Sequence, residues 1–186
     1  MYTRCTTEKA TAQQQLIGQT LLRAMQQRPY GDITVSSLCE ESALSRKTFY
    51  RLFSNKDDVL LSLVDHTLMR YMAFHPEERG SIGTLNELHL FFEFWLENRV
   101  LLDVLYDNGL STILLERSIW YVTNEEPGIL RHFGADSPET RQEMLVFYVT
   151  GIMSLIISWH QTDFRKTADE MAQIMRRLML NPPVKP

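Results

Sequence analysis

The chain has 186 residues, of which 44% are hydrophobic and 23% charged, as in an ordinary globular protein large enough to bury a core. The longest apolar run, residues 145–159, is interrupted by Thr, Gly and Ser. It is shorter than the roughly 18 residues that cross a bilayer. The first 15 residues lack the apolar stretch of a signal peptide. Two cysteines, Cys5 and Cys39, are too few for a disulfide framework or a zinc motif. We therefore expect a cytoplasmic protein without a membrane span.

The net charge of −4 is divided unevenly along the chain. Residues 1–60 carry eight basic and six acidic side chains, whereas residues 61–186 carry 11 basic and 17 acidic ones. Between Ser45 and Lys56 there are four basic residues and no acidic one. Such an asymmetry indicates two parts with different roles.

The hydrophobic pattern predicts an all-α protein of about nine helices, because helical spacing recurs and strand alternation is absent. A first helix is predicted over about residues 8–27, with an apolar stripe, and "RPYGD" ends it. Thr34 is a candidate cap for a second helix that ends near Ser42, with Cys39 facing inward as a small apolar residue. Ser45 caps a third helix. A helix, a turn of three or four residues and a second helix form the spacing of a helix-turn-helix motif.

Longer helices follow. Ser54 and Asp57 form a predicted capping box for a connecting helix. Two breaks are expected at 74–84 and 124–138, and further helices at about 85–98, 100–106 and 110–122. Ser137 and Pro138 open a long helix that runs to about residue 160, and Thr167 with Glu170 forms another capping box before the last helix. The predicted domains are 1–53, a connecting helix at 54–75, and a helical C-terminal domain at 76–186.

The third helix has the side chains that major-groove binding requires. In a helix-turn-helix the second helix enters the groove with its N-terminal residues against base edges. The residues predicted to contact bases are Ser45, Arg46, Lys47 and Thr48. Those predicted to contact phosphates are Thr34, Ser36, Tyr50, Arg51 and Lys56. The charge pattern alone fits a solvated basic helix face equally well.

The segment "ITVSSLCEESALSRKTFYRLFSNKDDVL" resembles the DNA-binding segment of the TetR family of transcriptional regulators. The resemblance rests on Ile33–Val35, Ser45–Tyr50, Phe53 and Lys56, and it covers roughly the first 65 residues. One position departs from the pattern, because the turn has Ser42-Ala43 where the family has Ala-Gly. If that position requires a positive φ angle, Ala43 is strained.

The resemblance implies a homodimer that binds a palindromic stretch of double-stranded DNA, with a C-terminal domain for ligand binding and dimerisation. The segment "FYVTGIMSLIISWHQTDFRKTADEMAQIM" also resembles the closing helices of a TetR subgroup, in which the last two helices pair with their twins. The expected interface residues are Phe147, Gly151, Ser154, Leu155, Ile174 and Leu178. The alternative is that these helices pack only within their own subunit.

Aromatic residues in the helices between 85 and 122 could enclose a ligand or simply form the core. The candidate ligand-binding residues are His66, Arg70, His89, Phe92, Trp95, Tyr106 and Trp120. The chemistry of the effector is not encoded in a motif, and a partner protein is an alternative to a small molecule.

Enzymatic activity has little support in the sequence. The chain has no nucleophile elbow, Walker loop, dinucleotide fingerprint or zinc-protease motif, and its five histidines lie far apart. We expect no cofactor and no metal site. The sequence therefore predicts a DNA-binding transcriptional regulator, most simply a repressor released by an effector. The rival hypotheses are a helix-turn-helix-fold adaptor or co-activator that binds a partner protein, and a helical enzyme.

Overall fold

The structure of the protein, a computed structural model, describes residues 7–74, 83–124 and 137–180. Within these ranges the chain is all-α, as predicted, with nine α-helices, one 3-10 turn and no strand. The 3-10 turn is Tyr30–Asp32, and the helices are α1 (Glu8–Met25), α2 (Val35–Glu41), α3 (Arg46–Leu52), α4 (Lys56–Phe74), α5 (Leu85–Glu97), α6 (Arg99–Asp107), α7 (Ser111–Asn124), α8 (Pro138–Gln161) and α9 (Ala168–Leu180). Most of the two predicted breaks, at 75–82 and 125–136, lies outside the described residues.

The chain divides into two compact units. Unit 1 comprises residues 1–67 and 104–113, and unit 2 comprises residues 68–103 and 114–186. These limits differ from the expected domain ends at 53 and 75, because much of α4 belongs to the same unit as the helix-turn-helix. Residues 104–113 also belong to unit 1. Domain limits, in the sense of parts that fold alone, stay a prediction.

Unit 1 is held together by the apolar faces of short helices. Ile17 and Leu21 of α1 are fully buried, as are Leu38 of α2 and Phe49 of α3. Burying each such side chain stabilises the fold by about 1.5–3 kcal/mol. Since α2 and α3 have only seven residues each, too few for an isolated helix to persist, their stability comes from this packing.

Side-chain caps fix where the short helices begin. Thr34 and Ser37 cap α2 reciprocally, and Ser45 caps α3 by accepting a hydrogen bond from the Thr48 amide at 3.1 Å. Both caps were predicted. The start of α4 is different from the prediction, because the Asp58 amide donates to Asn55 Oδ1 at 2.9 Å and Asp58, not Asp57, accepts from the Ser54 amide at 3.0 Å. The cap is therefore one residue later, and Asp57 has another role.

Unit 2 has an aromatic core. Trp159 of α8 is buried against Phe92 and Phe164, with ring centroids 5.6 Å and 5.0 Å away, and its Nε1–H donates to the Lys166 carbonyl at 2.9 Å. The α9 capping box was predicted and is present, since the Thr167 amide donates to Glu170 Oε2 at 2.7 Å. These contacts close the turn between α8 and α9.

Helix α8 is more apolar than the sequence analysis expected. It has 24 residues, and its most apolar window has a mean hydropathy of 1.4, so length and composition alone would let it cross a membrane. This is weak evidence, because helices in the cores of soluble proteins pass the same test. About 33% of that window is buried within the chain, which leaves much of α8 uncovered.

Candidate nucleic-acid interface

Helix α3 presents two faces of opposite character. Phe49 and Leu52 are buried, whereas Arg46, Lys47 and Arg51 are exposed. The Phe49 ring packs edge-on against Tyr50 and lies 5.8 Å from the Phe53 ring, which fixes how α3 rotates about its axis. The exposed face therefore points away from the core with its orientation set by the buried one.

The N-terminal turn of α3 contains the four residues predicted to contact bases. The Ser45 and Thr48 hydroxyls lie 3.0 Å apart and form the helix cap, so their first function is to hold the turn. Arg46 Nη2 donates to Ser36 Oγ of α2 at 2.5 Å, which joins the two helices of the motif. Lys47 is exposed and makes no hydrogen bond or ion pair with any described residue. Of the four, Lys47 is the most available for an external partner.

The flanks of α3 contain two further candidates. Tyr50 is 58% exposed. Arg51 Nη2 donates to Gln13 Oε1 of α1 at 2.8 Å, so this guanidinium also braces α1 against α3. A planar guanidinium has five donors, which leaves others for a phosphate.

Lys56 does not have the environment that the sequence predicted. Its Nζ donates to the carbonyls of Tyr30, Gly31 and Ile33 at 2.6, 3.3 and 2.9 Å and lies 4.3 Å from the centroid of the Tyr30 ring. An ammonium has three donors, and all three are engaged here. The predicted phosphate contact would break at least one of these bonds, so in this geometry Lys56 is a positioning residue.

The turn that Lys56 holds is fixed from two other sides. The Tyr30 hydroxyl donates to Asp57 Oδ1 at 2.5 Å, and the Tyr30 amide donates to Asn108 Oδ1 at 2.6 Å. Burial, and then the neighbouring Asp57, raise the pKa of Tyr30. No local motif signals this cluster, because its members come from three separate stretches of sequence. It places the start of α2 against the start of α4.

The start of α2 contains Thr34 and Ser36. The Thr34 hydroxyl accepts from the Ser37 amide at 3.1 Å as the cap, and Ser36 Oγ accepts from Arg46. Both residues are exposed beside α3.

Ala43, between α2 and α3, has a φ angle of 54°, which is the left-handed conformation that would strain Ala43. Burial raises the pKa of the nearby Cys39 thiol, which fits the expected apolar role.

Unit 2 contains a cavity of about 80 Å³ between α4, α5, α7 and α8. Its lining includes Tyr71, Glu87, Phe91, Trp95, Tyr121 and Tyr148. Of the seven predicted ligand residues, only Trp95 lines it. The cavity residues were missed because they come from four helices and share no short-range pattern.

The other six predicted ligand residues have different surroundings. His66 belongs to unit 1, where it lies 3.3 Å from Gln15 Nε2. Arg70 reaches Asn98 at 3.5 Å, and His89 Nδ1 of α5 lies 2.8 Å from Asp169 Oδ1 of α9. Phe92 packs on Trp159, Tyr106 is exposed, and Trp120 stacks under the Arg117 guanidinium at 4.2 Å. None of these six residues is in the lining of this cavity, and their predicted role in ligand binding stays a prediction.

The residues expected at a dimer interface lie on uncovered parts of α8 and α9. Phe147 is 82% exposed and Leu178 54% exposed. Ser154 is exposed, and a Cβ atom added to Gly151 would meet nothing within 4 Å. Leu155 and Ile174 are half-buried. Phe147 of α8 and Leu178 of α9 are thus large apolar side chains that the described residues leave exposed.

The fold and the basic face of α3 define a helix-turn-helix DNA-binding protein. Residues 19–63 match the family model described as bacterial regulatory proteins of the tetR family, the family that this segment was predicted to resemble. No curated protein matches it significantly.

Two solved structures share the fold over nearly their full length. One is the fatty acid degradation regulator FadR from Bacillus halodurans, with 15% identity, a TM-score of 0.63, and coverage of 96% of this chain and 98% of that chain. The other is described as a TetR-family transcriptional regulator from Syntrophomonas wolfei, with 19% identity, a TM-score of 0.57, and coverage of 94% and 98%. At these identities the likeness concerns the fold alone.

Proposed function

We propose that the protein is a repressor that binds a palindromic operator as a homodimer and leaves it when an effector occupies the cavity of unit 2. The single observation that carries the DNA-reading role is the first turn of α3, where Arg46 and Lys47 are exposed while Phe49 anchors the helix below them. Because the proposed target is operator DNA, the proposed activity takes place in the cytoplasm.

In this proposal some residues of the helix-turn-helix contact bases and others contact phosphates. Lys47, with its unengaged ammonium, and Arg46 donate to the N7 and O6 acceptors of guanine, and the Thr48 methyl group contacts a thymine. Tyr50, Arg51 and the exposed residues Thr34 and Ser36 contact the phosphate backbone and set the register. Ser45 maintains the cap. Lys56 holds the Tyr30–Asp32 turn instead of a phosphate.

The homodimer would bury the apolar surface of α8 and α9. A second copy is the occupant that symmetry favours, because a twofold axis pairs Phe147 and Leu178 with the same residues of the partner. It also supplies a second α3, so that two half-sites one helical turn apart, about 34 Å, are contacted together. An effector acts by favouring a dimer in which the two α3 helices miss this spacing.

The DNA-reading role is tested by footprinting on DNA that flanks the gene, followed by affinity measurements on the protected site and its single-base variants. Arg46→Ala and Lys47→Ala should each lose about 1–3 kcal/mol of binding free energy, concentrated at particular base pairs. Lys166→Ala removes an exposed positive charge from unit 2 and serves as the control. Equal weakening on every sequence would make the two side chains phosphate contacts. No protected site would favour an adaptor that binds a protein partner.

The dimer is tested by the molar mass in solution. Phe147→Glu places a charge on the apolar surface and should convert the dimer to a monomer in analytical ultracentrifugation. Gln142→Glu adds the same charge five positions earlier, about 140° around α8, and should leave the dimer intact. If both variants stay dimeric, the interface lies elsewhere.

A further inference from the structure

The guanidinium of Arg46 is held by the helix that precedes α3. Its Nη2 donates to Ser36 Oγ of α2 at 2.5 Å, across ten residues of sequence and the turn between the two helices. A second observation agrees, because burial raises the pKa of the Cys39 thiol of α2 and the positive charge of Arg46 partly offsets that rise. The side chain of Arg46 therefore lies against α2, while both Arg46 and Ser36 remain exposed.

The neighbouring Lys47 has no such support. It is exposed, and its ammonium makes no hydrogen bond or ion pair with any described residue. A long side chain in this state keeps its rotamer freedom and loses it only when a partner binds. Of the two basic residues at the start of α3, Arg46 is thus the one that is oriented before DNA arrives.

The bond to Ser36 leaves Arg46 able to contact a base. A guanidinium has five N–H donors, so this bond uses one of them and leaves the others. Two of those, donating in parallel, match the O6 and N7 acceptors of a guanine. Such a bidentate contact depends on the plane of the guanidinium, and a hydrogen bond that fixes Nη2 on α2 limits how far this plane can rotate.

The Ser36 hydroxyl can serve two partners at once. A hydroxyl has one donor and two acceptor lone pairs, and the bond from Arg46 occupies one lone pair. The O–H of Ser36 donates to no described residue, so it can donate to a phosphate oxygen while the oxygen holds Arg46. Ser36 is also not needed for the start of α2, because Thr34 and Ser37 form that cap.

We infer that Ser36 is a positioning residue for base recognition, which fixes the direction from which the Arg46 guanidinium meets a guanine. The inference rests on the proposed function, in which Arg46 contacts a base. It gives Ser36 an effect on sequence specificity. A phosphate contact alone lacks that effect, because phosphates carry no sequence information.

The test measures dissociation constants for the footprinted duplex and for its single-base variants. Arg46→Ala first identifies the base pair that Arg46 contacts. Ser36→Ala should then lower the discrimination at that base pair by about 2-fold to 10-fold, the contribution of one hydrogen bond, and leave it unchanged at the others. Ser36→Thr retains the hydroxyl and should restore the discrimination. In the Arg46→Ala background, Ser36→Ala should have no further effect on it.

Two controls separate positioning from other effects. Ser36→Ala keeps the cap of α2, so it should unfold in urea close to the wild-type midpoint. Gln13→Ala removes the corresponding acceptor from the other arginine of α3, because Arg51 Nη2 donates to Gln13 Oε1 at 2.8 Å. Since Arg51 is proposed to contact a phosphate, Gln13→Ala should change the affinity for all duplexes by the same factor.

Three results with Ser36→Ala would overturn the inference. They are discrimination that stays at the wild-type level, an equal loss of affinity on every duplex, and a further loss of discrimination in the Arg46→Ala background. Failure of the proposed function looks different and is seen before Ser36 is changed. A wild-type protein that protects no site, or an Arg46→Ala variant that retains every base preference, contradicts that function and overturns this inference with it.

Discussion

The two compact units differ in what they expose and in what they enclose. In unit 1 the charged groups Arg46 and Lys47 lie exposed on α3, and the buried apolar side chains are packed together with the buried carboxylates Asp58 and Asp65. In unit 2 a carboxylate and tyrosine hydroxyls line an internal cavity, while Phe147 and Leu178 lie exposed on the outside. A groove-binding surface needs charged side chains that water and DNA can reach, whereas a small-ligand site needs few polar groups in dry surroundings. The units should therefore respond differently to the same kind of substitution.

The first and largest expected effect separates the two faces of α3. Phe49→Ala removes a fully buried ring from unit 1 and should lower the free energy of unfolding by about 3–5 kcal/mol, measured by urea denaturation. Tyr50→Ala, one residue later and exposed, should cost about 1 kcal/mol or less because it loses only an edge contact with Phe49. Similar losses for both variants would show that α3 does not have one structural and one functional face.

The next effect distinguishes a positioning lysine from a DNA-reading lysine in the same unit. Lys56→Met keeps the hydrocarbon stem but removes the ammonium from three carbonyls, and it should lower stability by about 1.5–3 kcal/mol. Lys47→Met should leave denaturation unchanged and weaken DNA binding. If Lys56→Met instead unfolds like the wild type and reduces the salt dependence of DNA binding by about one unit, Lys56 contacts a phosphate after all.

A matched pair of substitutions compares a closely packed buried site in unit 1 with the cavity of unit 2. Val104→Phe in unit 1 overpacks a buried site and should cost about 1–3 kcal/mol of stability. Val122 lines the cavity of unit 2, where a larger ring has space. Val122→Phe should therefore lower the free energy of unfolding by about 1 kcal/mol or less, while it reduces ligand binding. Thermal denaturation measures both. Equal costs would mean that the cavity closes around Val122 in solution.

The smallest effect concerns the turn between α2 and α3. Ala43 has a φ angle of 54°, which glycine adopts without strain, so Ala43→Gly should stabilise unit 1 by up to about 1 kcal/mol. Ala12→Gly, at an exposed position in the second turn of α1, should destabilise unit 1 by about 1 kcal/mol. The opposite signs are the expected outcome in urea denaturation, and a loss of stability at both positions would contradict the strain at Ala43.

The helices could be predicted from sequence more fully than the sites. Caps such as Thr34, Ser45 and Thr167 act within three residues of themselves, so their pattern is visible in the sequence and the structure has them. The strain at Ala43 was anticipated conditionally, from a resemblance to a family that has Gly at this position, and its φ angle of 54° meets that condition. Interactions across long stretches of sequence were not. Lys56 has the spacing of a phosphate contact, but its partners lie 23 to 26 residues earlier.

The cavity was the least predictable feature for the same reason. Which aromatic residues face a cavity depends on how α4, α5, α7 and α8 rotate relative to one another within unit 2, and no local pattern sets that rotation. His89 and Phe92 lie on α5 with Glu87 and Trp95, yet they contact Asp169 and Trp159. Neighbours on one helix can thus face different surroundings, since each residue advances about 100° around the axis.

The separation of faces on α3 has a consequence for how such a protein changes over time. The side chains that would read bases contribute little to the interior, because both are exposed, Lys47 makes no hydrogen bond or ion pair with a described residue, and Arg46 makes a surface hydrogen bond to Ser36. Substitutions at these two positions can therefore accumulate without unfolding the domain. The buried residues Phe49 and Leu52 keep α3 packed against the core of unit 1. An ancestral regulator of this design could be redirected to a new set of genes by one or two codon changes.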